Sequence, residues 1–285
     1  MKKTTSVLLA LLLVVAMLLT VGCGKEDSGS NETPGNDAAD KLKVAYVIPG
    51  SINDGGWNAV AYDALKSIEA KFGAETSYAE NVPTSDFEER YRAYAEEGYD
   101  IIIGHGFEFG DVAMKVAPDY PDIKFLVTST DISQEPNVAS VQTNNYVGGY
   151  VVGTIAGIVT ETNKVAYIGG MDIPSITDGG EGFAKGAKAV NPDVEAFATY
   201  TGDFNDAAKA KEVTASFLEK GVDVGVGNAD HASLGTIEAC KDKGVKSVGI
   251  IANQNELAPD TVVGSIEYSY AIALQSVVQD ILDGK

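Results

Sequence analysis

Val44-Ala45-Tyr46-Val47-Ile48 decides the fold, because it comes back. Val165-Ala166-Tyr167-Ile168 repeats it 121 positions on, from 44 to 165. Each copy is a short apolar run rich in β-branched residues, the pattern of a buried strand. Two further pairs keep nearly the same offset. Asp54-Gly55-Gly56 returns as Asp178-Gly179-Gly180, from 54 to 178. Glu97-Gly98-Tyr99-Asp100-Ile101 returns as Lys220-Gly221-Val222-Asp223-Val224, from 97 to 220. Three matches near one offset argue for two copies of one architectural unit, lobe one over 43–143 and lobe two over 144–255.

Within each copy the rhythm is strand, helix, strand. After Val44–Ile48, the residues Ala61, Leu65, Ile68 and Phe72 recur at helical spacing. Asp100–Ile103 is the next strand, and a helix around Val112–Ala117 stops at Pro118 and Pro121. Lys124–Val127 is the third strand. This alternation predicts α/β lobes, each a parallel sheet with helices on both faces. Asp260–Ser265 reads as extended and Tyr268–Leu282 as a helix. Residues 256–285 are expected to pack back on lobe one, so that the chain crosses between lobes more than once and forms a hinge around a cleft.

Outside the lobes the chain carries address signals. Lys2 and Lys3 precede an uncharged apolar run, Val7–Leu19, and then Thr20-Val21-Gly22 lead to Cys23. Residues 1–22 therefore read as a secretory signal peptide. Cys23 resembles a bacterial lipoprotein cleavage site, where it becomes the lipidated first residue. Residues 23–40 are polar with Gly and Pro, a flexible tether. The expected place of the body is the extracytoplasmic face of a membrane, lipid-anchored. Only Cys23 and Cys240 are present, so no internal disulfide is expected, and Cys240 reads as a small buried hydrophobe. His105 and His231 are the only histidines and show no zinc spacing, so no metal is expected. The formal charge is −20, and without Lys2 and Lys3 it is −22, the opposite of a nucleic-acid footprint. A monomer without cofactor is expected.

Candidate ligand residues lie where strands end, since ligands of open α/β sheets sit there. After the first strand come Asp54, Trp57 and Asn58. Asp54 also suits a helix cap and Trp57 a core. After the second strand Phe107 is expected as a stacking wall, with Phe109 turned inward and His105 a satisfied loop histidine. Asp131 follows the third strand. In lobe two the candidates are Asp172, Phe204, Asn228, Asp230 and Asn253, and Asp206 reads equally as a helix cap. Opposed aromatic faces ringed by carboxylates and amides suit a flat, polar, neutral ring.

These loops resemble the basic membrane protein family, the nucleoside-binding lipoproteins of ABC importers. The resemblance rests on Asp54-Gly-Gly-Trp57-Asn58, on Gly106-Phe107 with Gly110-Asp111, and on Tyr120-Pro-Asp-Ile-Lys-Phe125. It continues through Gly148-Gly149-Tyr150, Ile168-Gly-Gly-Met-Asp-Ile-Pro174 and Phe204-Asn-Asp-Ala-Ala-Lys209. It implies a two-lobed type I periplasmic-binding fold, a purine nucleoside or related small-molecule ligand, an ABC permease as partner and no catalysis. It places Asp54, Trp57, Asp131 and Phe204 on family ligand positions. The chain departs from the family where a ribose-gripping Asp gives way to Ile251, and where a lysine gives way to Glu267-Tyr268. A free nucleobase or another heterocycle is therefore also in view. Family chains run on past Gly284-Lys285, so a further crossing beyond this sequence is expected. A ligand sensor feeding a membrane receptor would use the same binding chemistry. A nicotinamide-dinucleotide enzyme is the rival of another class, from Gly104-His-Gly106-Phe-Glu-Phe-Gly110. That motif follows the second strand and has its third glycine one place late.

Overall fold

A computed structural model describes residues 41–285, and the expected signal peptide, Cys23 and tether lie outside the described residues. The first repeat forms β1 (Lys43–Val47), buried on both faces and paired in parallel with β2 (Glu75–Ala79) and β3 (Ile101–Gly104). With β4 (Lys124–Thr128) and β5 (Val138–Val141) it makes a parallel sheet of order β2-β1-β3-β4-β5. The second repeat forms β6 (Lys164–Gly169), flanked by β7 (Glu195–Tyr200) and β8 (Val224–Asn228). Adding β9 (Lys246–Gly249) and β10 (Val262–Ser265) gives the order β7-β6-β8-β9-β10. The two orders are the same, strand for strand. Even the register repeats, Val44 lying against Ile101 and Val165 against Val224.

The Asp100 and Asp223 carboxylates explain why the third matched segment recurs. Asp100 accepts the Lys43 backbone N–H at 2.7 Å, and Asp223 accepts those of Glu161 and Thr162 at 2.6 and 2.9 Å. Each ties the entry of a lobe's central strand to the strand beside it. The Asp-Gly-Gly match has no such equivalence. Residues 54–56 precede helix α1 (Trp57–Phe72), whereas 178–180 lie inside helix α5 (Pro174–Val190).

Helices cover both faces of each sheet. In lobe one, α1 lies on one face, with Ala61, Leu65 and Ile68 in the core. The other face carries α2 (Phe87–Glu96) and α3 (Gly110–Val116), packed through Phe87, Tyr91 and Phe109. In lobe two, α4 (Asn145–Val159) and α5 cover one face, and α6 (Ala207–Leu218) and α7 (Ser233–Lys243) the other. α4 and α5 approach so closely that a methyl on Gly149 would overlap the Gly179 carbonyl, and one on Gly153 the Phe183 carbonyl. Cys240 is buried between α7 and the sheet, and burial pushes its thiol up to about 12, which makes it an inert packing group.

The final helix of each lobe belongs to the other. Chain leaving β5 crosses into α4 on lobe two, and chain leaving β10 crosses into α8 (Tyr270–Leu282) on lobe one. The segment 256–285, expected as a whole on lobe one, thus divides. β10 stays with lobe two because the outer edge of β9 has backbone groups to pair, and α8 returns because Tyr270, Leu274 and Val278 complete the core against α1. Trp57, Val60 and Tyr268 pack against the cores of both lobes and so sit at the hinge. Among the described residues, no helix is long and apolar enough to cross a membrane.

Candidate functional site

In a sheet of order 2-1-3-4-5 the crevice lies at the carboxyl ends of strands 1 and 3, where the winding reverses. Both lobes present those ends to one cleft. In lobe one the loop from β1 is held by Asp54, which is nearly buried. Its Oδ1 accepts the Gly56 and Ala59 N–H groups at 2.9 and 3.0 Å. Its Oδ2 accepts the Asn58 N–H and the Asn58 Nδ2, both at 2.8 Å. The Asn58 Oδ1 in turn accepts the Gly50 N–H at 3.2 Å. The loop residues Asp54 and Asn58 therefore spend their polar atoms on one another and on the start of α1, and present Trp57 as its first residue.

Trp57 is fixed from behind. Its ring stacks on His105 at 4.2 Å and meets Tyr270 edge-on at 5.3 Å. His105 Nε2–H donates to the Trp57 carbonyl at 2.8 Å, which leaves Nδ1 to accept from Tyr46 Oη at 3.0 Å or Thr128 Oγ1 at 3.1 Å. The imidazole is fully buried, and burial pushes its pKa down to about 3, so it is neutral. It is the satisfied loop histidine expected. Tyr270 Oη lies 3.1 Å from Ser129 Oγ and 3.4 Å from Thr143 Oγ1, joining the end of β4 to both interlobe crossings.

The cleft has two joined chambers. An outer one of about 710 Å³ lies between Phe107 and Asp131 of lobe one, the crossing at Gln142–Tyr146, and Ile173, Ser175 and Asp178 of lobe two. An inner slot of about 50 Å³ is walled by Trp57, Phe107, Phe204 and Ile251, with Glu108, Asn228 and Asp230 as polar groups. The outer chamber falls within the range of about 300–1,000 Å³ usual for small-molecule sites. Phe107 is 41% exposed and open to the cleft, while Phe109 is buried against Phe87 at 3.8 Å, as their spacing predicts. Phe204 lies over Gly170, where a methyl would collide with its ring, and it rests on Ala210, Ala229 and Ala232.

The slot is acidic. Burial raises the Asp230 carboxyl well above its ordinary value, and the facing Asp54 and Glu108 raise it further. Burial raises Glu108 as well. Asn228, 1% exposed, donates to Tyr167 Oη at 2.6 Å, so its side chain is braced at the slot wall. Ile251 has φ 79°, left-handed backbone that is costly for a β-branched residue and recurs at ligand sites.

Of the residues expected from sequence, Trp57, Phe107, Phe204, Asn228 and Asp230 come together on the slot, and Asp131 lines the outer chamber. Asp54 and Asn58 support the slot loop and line neither chamber. Asp172 is exposed and lines neither. Asn253 faces a separate hollow with Gly55, Glu267 and Tyr268, and its Oδ1 accepts the Asn255 N–H at 3.1 Å. Asp206 is the cap of α6, accepting the Lys209 N–H at 2.9 Å. Sequence reasoning missed Glu108, Ser129, Asn145 and Ser175, all of which line the slot. Glu108 stood between two chosen phenylalanines, and Ser129 in the run that supplied Asp131. The other two had no signal beyond standing at helix starts.

Two like α/β lobes, joined by two crossings among the described residues and facing one aromatic cleft, have the architecture of a type I periplasmic-binding fold, the scaffold of solute-binding proteins. The family model for Bmp, "ABC transporter substrate-binding protein PnrA-like", matches residues 41–285, and the chain belongs to that family. It is 29% identical over 273 residues to "Transcriptional activator protein med" of Bacillus subtilis, covering 94% of this chain and 82% of that one. It is 28% identical over 250 residues to a purine-binding protein of Brucella abortus, with coverages of 87% and 71%. It is 28% identical over 301 residues to the ABC transporter nucleoside-binding protein BmpA of Lactococcus lactis, with coverages of 99% and 85%. Among solved structures, an ABC transporter solute-binding protein from Aeropyrum pernix superposes with TM-score 0.76 at 26% identity, covering 85% of this chain and 71% of that one. A substrate-binding protein of an ABC transporter binds a small molecule outside the cytoplasm and presents it to the transporter's membrane permease.

Proposed function

We propose that this protein captures a purine nucleobase or nucleoside by closing its lobes over the ring, and delivers it to an ABC permease while lipid on Cys23 anchors it. One observation carries the reading: aromatic side chains from both lobes, Trp57 and Phe107 from one and Phe204 from the other, wall the same slot. Ring stacking on each face is worth about 0.5–1.5 kcal/mol beyond burial, so rings from two lobes reward closure over a flat ligand. The names of the purine- and nucleoside-binding relatives support the ring class. Ile251 on the slot wall favours a ligand held chiefly by its base, because an aliphatic side chain offers no hydrogen bond to a sugar.

Thermal unfolding of the purified protein with purine nucleobases, nucleosides, free sugars and amino acids tests this. A ligand at about 100 times its Kd adds about 2.7 kcal/mol, a shift of several degrees. The expected result is stabilisation by a purine or its nucleoside that Trp57→Ala removes. Stabilisation by sugars or amino acids alone would overturn the ring class. Membrane fractionation and lipid labelling of Cys23→Ser test the anchor, which is expected to be lost.

A further inference from the structure

The two chambers of the cleft differ from an ordinary neutral-ligand site in the sign of their charges. Asp131 and Asp178 line the outer one, Glu108 and Asp230 the inner one, and neither chamber is lined by a lysine or arginine. The ammonium of Lys185 lies 5.3 Å from the Tyr146 ring centroid, but Lys185 itself does not line the outer chamber. Among the described residues, Glu108 and Asp230 have no ion pair. Nor do they form part of any cluster of three groups fit to hold a metal ion. They stand beside Trp57, Phe107 and Phe204, whose ring faces carry the negative end of the aromatic quadrupole. Ring faces and unpaired carboxyls around one narrow slot share a single preference, for positive charge.

We infer that the ring this slot takes is positively charged, a heteroaromatic cation or a ring bearing a protonated amine, stacked between the aromatic walls with Glu108 and Asp230 as its counter-charges. This rests on the cleft being the ligand site and narrows the class of ring. In the free cleft the carboxyl of Asp230 shares the slot with Glu108 and feels the charge of Asp54 in the loop behind it, while His105 behind Trp57 is neutral, so no cation lining the slot relieves it. Like charges so placed keep a proton on the cluster. A cationic ring supplies the missing charge, and the carboxyl releases its proton to water as the ring enters. Cation capture is therefore linked to proton release, and affinity for the cation rises with pH until the carboxyls are ionised in the free cleft. A neutral ring gains nothing from that ionisation. Anionic ligands, nucleotides among them, are disfavoured by every carboxyl in the cleft.

The test uses pairs that differ in charge at neutral pH and little in shape: 1-methyladenosine against adenosine, and 1-methylnicotinamide against nicotinamide. Calorimetric titration of the purified protein is expected to show the cationic member of a pair binding about tenfold tighter or more, with proton release that scales the heat with buffer ionisation enthalpy. Glu108→Gln and Asp230→Asn are each expected to cut that preference about tenfold, read as the ratio of the cationic to the neutral affinity within each variant. Two isosteric variants on different lobes guard against one of them misfolding. Neutral rings binding as tightly as cations, or an unchanged ratio in both variants, would overturn the inference and leave the purine reading standing. If no ring of either charge binds, the reading of the cleft as a heterocycle site fails, and this inference with it.

Discussion

Removing Asp54 separates a supporting role from a ligand contact. The Asp54 carboxylate accepts three backbone N–H groups, of Gly56, Asn58 and Ala59, and the Asn58 side-chain amide. Asp54→Ala leaves the start of α1 uncapped, which costs about 0.5–2 kcal/mol. It also strands the Asn58 amide, whose residue is only 2% exposed, and an orphaned buried donor costs about 1–3 kcal/mol more. The expected loss is thus about 1.5–5 kcal/mol, which in a body of this size lowers Tm by about 3–20 °C. Thermal unfolding without ligand reads the first effect, and ligand titration well below the lowered Tm reads the second. Trp57 is held by the same loop, so affinity is expected to fall with stability. Asp54→Ser, which keeps a short acceptor, should recover part of both. An unchanged Tm in Asp54→Ala, with affinity lost, would refute the capping role and return Asp54 to the ligand contact its place in the sequence suggests.

Three further outcomes follow from the packing and the buried charges. His105 has its pKa pushed from 6.5 down to about 3, so between those values the unfolded chain binds the extra proton; stability from this group is full above 6.5 and falls by about 1.4 kcal/mol per pH unit toward about 3. Denaturant titrations from pH 7 down to 4 should show that slope in wild type and lose it in His105→Gln, after allowance for Asp230 and Glu108, whose raised values act in the opposite sense. Gly149→Ala drives a methyl into the Gly179 carbonyl and should cost about 1–3 kcal/mol by overpacking α4 on α5, whereas Gly264→Ala, with open space at its Cβ, should cost little in the same chemical denaturation. Asp230→Asn removes an acid held at raised pKa between two others, and at neutral pH it should stabilise the unliganded protein by about 0.5–2 kcal/mol, read as a higher Tm.

Much of the fold was legible because it is local chemistry repeated. A continuous apolar run such as Val44–Val47 can only be a strand buried on two faces, and its return at Val165 brought the same neighbours in the same register. The less apolar edge strands β2 and β7, with exposed residues at Glu75 and Tyr78 and at Glu195 and Ala198, carried no comparable signal. Burial makes the pattern, and edges lack burial. The aromatic members of the candidate site were also readable, since Trp57 after Gly56, Phe107 after Gly106 and Phe204 in the Asp203-Phe204-Asn205-Asp206 loop all stand just beyond strand ends. Its polar members were not. Asp54, Asn58, Asp172 and Asn253 are the same residue types as Asn228 and Asp230, and composition cannot say which spend their hydrogen bonds on the backbone.

What the sequence by itself determined was the pair of α/β lobes, and that loops at the sheet ends carry aromatic residues toward one cleft, because periodicity and repetition are properties of the chain. Tertiary structure alone decided that β10 stays on lobe two while α8 returns to lobe one, the capping role of Asp54, and the convergence of Glu108 with Asp230 on one slot. Glu108 and Asp230 are 122 residues apart, from 108 to 230, in different lobes. Only the closure of one lobe on the other brings them within reach of each other's field, and an electrostatic coupling is a matter of distance in space.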